Sequence, residues 1–256
     1  KAQYPHKVTL VKLVRNVGSY DAIVAGLSET RGESIVVISA DLQDPPSLIP
    51  NMYNHFKKGY KLVVANRSKR NDSFFGDLFS KSYHKLIRKF ALKNLPEGGF
   101  DFVLFHRELR DHILQIKEKN TNCLYMLMWL GYDYVSVPYE RQEREKGKSM
   151  WTFSKKIKLF IDSFISFSFL PVRVMVYSGV FLAMLGFIYA ISILVLRLTG
   201  RIEIPGWTTI MLLIVFISSI QMIFLGIIGE YLWRIFDEVR NRPNYIKEKV
   251  LKDEEN

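Results

Sequence analysis

The chain has 256 residues, enough for one or two domains, with a formal net charge of +11 and a single cysteine. A single cysteine excludes an internal disulfide and agrees with a reducing compartment. Two long uncharged runs in the last third of the chain favour a membrane protein, so anionic lipid headgroups and phosphorylated substrates explain the positive charge without nucleic acid.

The first 140 residues alternate strand and helix patterns, which is typical of an α/β layer with a largely parallel sheet. The predicted strands are 8–14, 34–38, 62–65, 102–105 and 134–137, and the predicted helices are 19–30, 46–58, 73–92, 108–117 and 121–130. A charged loop over 140–150 follows. The segment 151–170 mixes lysines with phenylalanines, which predicts a helix in the headgroup layer; an ordinary packing helix is the alternative.

The two uncharged runs are Val174 to Leu196 and Thr208 to Gly229. A helix over either run would be about 33 Å long, enough to cross a hydrocarbon core of about 30 Å. The short connection between the runs predicts an antiparallel transmembrane hairpin. Basic residues are concentrated before and after it, so the positive-inside rule predicts that both termini and the α/β part lie in the cytoplasm of a multi-pass plasma-membrane protein.

The segment Ser39–Pro46 carries the strongest chemical signal, because Asp41, Gln43 and Asp44 follow a strand, 34–38, that is predicted to be fully buried. Ligands bind at the carboxyl ends of strands in open α/β sheets, and hard oxygen ligands there suit Mg²⁺ or Mn²⁺ on a diphosphate. We expect Asp41, with Gln43, to hold that metal, and Asp44 to cap the following turn or helix. A plain strand-to-helix turn is the alternative.

Seven short motifs, in order, resemble the membrane-anchored polyprenyl-phosphate glycosyltransferases of glycosyltransferase family 2, relatives of dolichyl-phosphate mannose synthase. They are Arg15–Gly18, Ala40–Pro46, Gly99–Phe102, Arg144–Ser149, Phe167–Arg173, Gly226–Tyr231 and Arg242–Tyr245. The resemblance implies an α/β, GT-A-type Rossmann-like catalytic domain over 1–150. It further implies an interfacial amphipathic helix over 151–171, a transmembrane hairpin over 172–233 and a cytoplasmic tail over 234–256.

The chain departs from the family pattern in two places. Ser39 stands where the family's metal motif begins with an aspartate, so Asp41, Gln43 and the diphosphate must supply more of the metal binding. The family also opens with a strand-helix-strand unit that holds the nucleoside, and Lys1 lies beyond it. We therefore expect the chain to be part of a longer protein; a truncated relative with impaired nucleotide binding is the alternative.

The resemblance implies inverting transfer from a nucleotide sugar, with UDP as the expected nucleotide, to undecaprenyl phosphate. A phosphate monoester is largely deprotonated near neutral pH, so such a site needs positive charge more than a base. We expect Arg67 and Arg70, and more weakly Lys81, to bind the acceptor phosphate; solvated surface charge is the alternative. Asp101 is expected to face the acceptor as a base or an orienting carboxylate, with a turn residue as the alternative.

The donor diphosphate is expected to contact Arg15 and a loop that carries Arg144, Lys148 and Ser149. Gly147-Lys148-Ser149 is similar to the end of a P-loop, but Gln142 stands where that motif needs glycine, which excludes an ATPase reading. A processive polysaccharide synthase and a non-catalytic membrane scaffold are the competing functions. Relatives often assemble, so a homo-oligomer is expected.

Overall fold

The computed structural model of the chain describes residues 8–41, 43–69, 74–116, 118–119, 121–140, 161–199 and 206–252. It divides into two compact units. The residues up to 167 and from 241 onward form the first, here called the α/β unit, and residues 168–240 form the second, the helix pair. The tail predicted as a separate region over 234–256 is thus divided, because its last part folds with the α/β unit.

The α/β unit alternates strands and helices, as the sequence predicts. Its strands are β1 (Thr9–Leu13), β2 (Ser34–Val37), β3 (Leu62–Lys69), β4 (Val103–His106), β5 (Tyr134–Glu140) and β6 (Lys247–Lys252). Its helices are α1 (Ser19–Leu27), α2 (Ile49–Lys57), α3 (Phe74–Phe90), α4 (Arg107–Gln115) and α5 (Cys123–Trp129). A 3-10 turn at Pro46–Leu48 leads into α2, and residues 161–167 are also helical.

Within the described residues, the main sheet has four strands in the order β2-β4-β3-β5. β4 runs antiparallel to both of its neighbours, whereas β3 and β5 are parallel. The prediction of a largely parallel sheet is therefore wrong: after α3 the chain enters β4 at the edge where β3 ends, instead of crossing back. β2 is an edge strand in which Ile35 alone is buried, so the prediction that it is fully buried is also wrong.

The core of this sheet lies on the face that packs against α2. Alternate residues of a strand point to the same face, so β3 and β5 each contribute two buried side chains at a spacing of two, and Leu104 of β4 shares this face with Phe102, just before that strand. These residues and their partner on α2 are Val63, Ala65, Phe102, Leu104, Val137, Tyr139 and Met52. Burying a large apolar side chain contributes about 1.5–3 kcal/mol, so this cluster holds the ends of the strands firmly in place.

β1 and β6 form a separate antiparallel pair, which ties the returning tail to the start of the chain. The carboxylate of Glu29, just after α1, reinforces the tie because it binds Lys247 at 2.6 Å and Lys252 at 2.8 Å. These bonds lower the pKa of Glu29 to about 2. The strand predicted over 8–14 thus exists, but it lies outside the main sheet.

The helix pair consists of α6 (Leu170–Leu198) and α7 (Trp207–Val239), which contact each other. By length and composition, Leu170–Ile193 and Thr209–Val239 could each cross a membrane. Their apolar side chains are exposed rather than packed, as Phe187 shows at 68% exposure. Apolar surface of this extent needs lipid or another apolar partner, which agrees with the predicted spans and not with a buried soluble helix.

The segment 161–167 packs within the α/β unit. Phe164 is buried, the ring of Phe167 lies 6.4 Å from that of Tyr125, and the hydroxyl of Ser163 is 3.0 Å from that of Tyr83. For these residues the structure favours the packing helix over a helix in the headgroup layer. The first part of the predicted interfacial segment, 151–160, lies outside the described residues.

Candidate active site

The sheet topology brings charged and polar side chains to one edge. β2, β3 and β5 run in the same direction and end at this edge, and β4 begins there. Asp41 and Asp44 follow β2, Arg67 and Tyr139 lie near the ends of β3 and β5, and Asp101 precedes β4. The fold thus collects three carboxylates, a guanidinium and a phenol from four separate stretches of chain.

Arg67 and Asp101, predicted to serve the acceptor, are in direct contact. Nη2 of Arg67 donates to Oδ2 of Asp101 at 2.5 Å, and the two side chains are 14% and 56% exposed. Burial lowers the pKa of Arg67, but the charge of Asp101 and the bond to Tyr139 outweigh it, so the pKa is raised. Arg67 is therefore a permanent cation whose carboxylate partner is open to solvent.

The prediction that Asp44 caps the following turn or helix is wrong. Pro45 occupies the cap position of the 3-10 turn, and no side-chain bond caps it. Asp44 is instead completely buried and accepts a hydrogen bond from the hydroxyl of Tyr139. Burial and this bond raise the pKa of Tyr139 to about 12, so the phenol stays protonated and continues to donate.

A two-glycine turn sets the position of Asp101. Gly98 and Gly99 both have positive φ, at 81° and 68°, which side chains rarely adopt. A Cβ at Gly99 would lie 2.4 Å from Cε1 of His84, far inside contact distance. Both glycines are thus required by the backbone, and Asp101 leaves the turn two residues later towards Arg67.

Three tyrosines that the sequence analysis missed lie near Asp101. Tyr20 comes from α1, Tyr83 from α3 and Tyr125 from α5. The hydroxyl of Tyr83 donates to that of Tyr125 at 3.4 Å. Burial, and in smaller part the charge of Asp101, raise the pKa of all three, so they are neutral hydroxyls at ordinary pH. No motif marks them, because they come from three distant helices.

Asp41 is the predicted metal ligand, and it lies half-buried in the turn after β2. Its Oδ1 accepts the backbone N–H of Gln43 at 3.4 Å, so the two residues share one tight turn. Within the described ranges, no three His, Cys, Asp or Glu side chains gather as a metal-binding group. A single carboxylate with a neighbouring amide fits Mg²⁺ or Mn²⁺ that takes its remaining ligands from substrate phosphates and water.

Arg15, predicted to bind the donor, is exposed after β1. Its charge acts on Asp21 of α1, whose carboxylate also accepts a bond from Asn244 of the returning tail; burial nonetheless raises the pKa of Asp21. The other predicted site residues, or their side chains, lie outside the described part of the chain. These are Arg70, Lys81, Arg144, Lys148 and Ser149.

The described residues combine an α/β unit with charged side chains at the ends of its strands and two helices that are long and apolar enough to cross a membrane. The model of glycosyl transferase family 2 matches residues 1–114, and the model of the GtrB C-terminal hairpin matches residues 170–235. The chain belongs to glycosyltransferase family 2 and is a glycosyltransferase. The resemblance that the seven motifs indicated is confirmed.

Three relatives extend the match over nearly the whole chain. A putative glycosyltransferase, CsbB, of Bacillus subtilis is 37% identical over 240 residues, which is 94% of this chain and 73% of that protein. The bactoprenol glucosyl transferase of Shigella phage SfII is 34% identical, covering 94% and 79%. The undecaprenyl-phosphate 4-deoxy-4-formamido-L-arabinose transferase of Photorhabdus laumondii is 32% identical, covering 98% and 78%.

Proposed function

We propose that this glycosyltransferase moves a sugar from a UDP-sugar to a polyprenyl phosphate, undecaprenyl phosphate, with inversion at the anomeric carbon. The names of the bactoprenol and undecaprenyl-phosphate relatives support the acceptor. The observation that carries the proposal is the contact of Arg67 with Asp101 at the edge where the strands end. A guanidinium held there by an exposed carboxylate is suited to receive a phosphate.

In the reaction, an oxygen of the acceptor phosphate forms a bond to the anomeric carbon, and the bond from that carbon to the donor diphosphate breaks. Arg67 binds the acceptor phosphate and offsets its charge, because two anionic reactants repel each other. Asp101 orients Arg67 before the acceptor arrives. It also accepts the proton of any acceptor that enters as the monoanion.

On the donor side, Arg15, Arg144, Lys148 and Ser149 bind the diphosphate. Asp41 and Gln43 would hold Mg²⁺ or Mn²⁺, and the ion would supply positive charge that offsets the charge of the leaving diphosphate. The turn that Asp41 and Gln43 share supports this assignment, because it brings the two residues together shortly after β2.

The helix pair is proposed to span the plasma membrane, with both termini and the α/β unit in the cytoplasm. The end of α6 and the connection after it carry Arg197 and Arg201, offset by Glu203, whereas the flanking segments are rich in lysine and arginine. The acceptor is itself a membrane lipid, so this anchoring keeps enzyme and acceptor in one bilayer. The exposed apolar surface of α6 and α7 supports assembly of several copies.

The test is transfer of labelled sugar into lipid by membranes that contain the protein. Undecaprenyl phosphate and a panel of labelled UDP-sugars are supplied, and we expect a lipid-soluble, acid-labile product from one of them. Arg67→Ala should abolish it. Arg88→Ala is the matched control, because Arg88 also pairs with a carboxylate, Glu97 at 2.6 Å, but outside the site. No product, or equal product from Arg67→Ala, would contradict the proposal.

A further inference from the structure

Asp44 is a buried carboxylate that the reaction outlined above does not use. Its side chain is 0% exposed, and its Oδ2 atom has no hydrogen-bond partner among the described residues. A buried negative charge is costly unless a positive charge or hydrogen bonds offset it. Among the described residues, the hydroxyl of Tyr139 donates to Oδ1 of Asp44, and the carboxylate of Asp44 acts electrostatically on the guanidinium of Arg67.

Tyr139 links Asp44 to Arg67 rigidly. Arg67 and Tyr139 are directly paired in the register of β3 and β5, and Nε of Arg67 donates to the Tyr139 hydroxyl at 3.4 Å. The ring of Tyr139 is 6% exposed and meets the ring of Phe102 edge to face, with centroids 6.2 Å apart. The phenol is therefore fixed by the core, and the buried side of Arg67 rests on a fixed support.

The two sides of the guanidinium thus have unequal partners. The Nε side contacts a buried phenol backed by a buried carboxylate, whereas the Nη2 side contacts Asp101, which is 56% exposed. An incoming phosphate can displace the exposed partner far more easily than the buried one, because the exposed carboxylate regains its hydration when it leaves. Arg67 therefore keeps its contact with Tyr139 at Nε and can exchange its contact with Asp101 at Nη2 for a contact with phosphate.

We propose that Asp44 and Tyr139 are positioning residues that hold Arg67 by its Nε side, leaving its Nη groups to pass from Asp101 to the phosphate of the lipid acceptor. This inference rests on the proposed function and assigns the support of its acceptor site. No covalent step is involved. When the phosphate takes over Arg67, Asp101 is released and becomes available to the acceptor.

The test compares Tyr139→Phe and Asp44→Asn with Tyr132→Phe. Tyr132 is a matched control because its hydroxyl also donates to a carboxylate, Glu108 at 2.8 Å, away from the strand edge. Initial rates are measured against the concentration of undecaprenyl phosphate and, separately, of UDP-sugar. We expect the acceptor KM to rise about tenfold or more in the two site variants, since hydrogen bonds to charged groups are the strong ones. The donor KM should stay within about twofold, and the control should change neither.

A second measurement does not depend on turnover: binding of farnesyl phosphate to the purified protein in nanodiscs, with farnesol as the ligand that lacks the phosphate. We expect the wild type to bind the phosphate and not the alcohol, and Tyr139→Phe to bind it about tenfold more weakly. An unchanged acceptor KM, or acceptor and donor KM values that rise together, would overturn the positioning role while leaving the function intact. A wild type that neither transfers sugar nor binds farnesyl phosphate would overturn both.

Discussion

Gly99→Ala should disturb the turn that positions Asp101, and its cost can be worked out from two contributions. A side chain at positive φ costs about 1–2 kcal/mol, and extra atoms in a packed site cost about 1–3 kcal/mol. Gly131 has a similar φ, +76° against +68°, but its Cβ would meet nothing within 4 Å. Gly131→Ala thus measures the backbone strain alone, and the difference between the variants isolates the clash with His84.

The assay is thermal unfolding of the purified full chain in detergent, combined with the rate of sugar transfer. Gly99→Ala should unfold roughly 2–12 °C below Gly131→Ala, and it alone should lose transfer, because the displaced turn moves Asp101 away from Arg67. Adding His84→Ala should recover part of the extra loss, which a double-mutant cycle measures. Equal midpoints for the two glycine variants, or no recovery, would refute the reasoning.

Three further variants test the site and the tail. Asp101→Asn should slow transfer at least about tenfold, because the amide lacks the negative charge that pairs with Arg67 and cannot accept a proton. Glu248→Gln, which breaks an exposed ion pair, should leave the rate unchanged, and a parental rate in Asp101→Asn would remove Asp101 from the mechanism. Asp41→Ala should lower Mn²⁺-dependent transfer about a hundredfold or more, and persistent metal-dependent turnover across a Mn²⁺ titration would show that the ligand is another residue. Glu29 has a pKa of about 2 in the fold, below its ordinary value of 4.5, so its contribution is present above about pH 4.5 and is lost as the pH falls towards 2. The amide hydrogen-exchange rate of β6, corrected for intrinsic rates, should therefore rise in acid for the wild type. In Glu29→Gln it should already be raised at neutral pH. Full protection of β6 in that variant would show that Glu29 does not hold β6 in place.

The order of the strands and helices could be predicted because hydrophobic periodicity, which indicates each element, and glycines, which mark the ends of elements, are local features of the sequence. The direction of β4 could not, since an apolar run such as Val103–His106 reads the same in a parallel and an antiparallel pair. Pattern also cannot show which strand becomes an edge, and for that reason β2 was expected to be fully buried. Both differences arise from pairings between residues far apart in the chain.

In the candidate site, too, positions marked by local sequence signals could be predicted, whereas contacts between distant residues could not. The positions of Arg67 and Asp101 at the strand edge could be predicted, because Arg67 follows one recognisable strand and Asp101 precedes another; their roles in the reaction stay a prediction. Tyr139 was missed because the predicted strand ended at Val137, although the alternation continues for two residues and places Tyr139 on the same buried face. Asp44 was misjudged because an aspartate before prolines is typical of a cap, and only the tertiary contact with Tyr139 shows otherwise.

The most direct measurement is a mass spectrum of the lipids after the protein has been incubated with its nucleotide sugar and undecaprenyl phosphate. We predict a new lipid heavier than the acceptor by one sugar residue, formed in step with released nucleoside diphosphate and absent with Arg67→Ala. Release of nucleoside diphosphate without any sugar-bearing lipid phosphate would contradict the assignment, because it would show that the acceptor is water or another molecule.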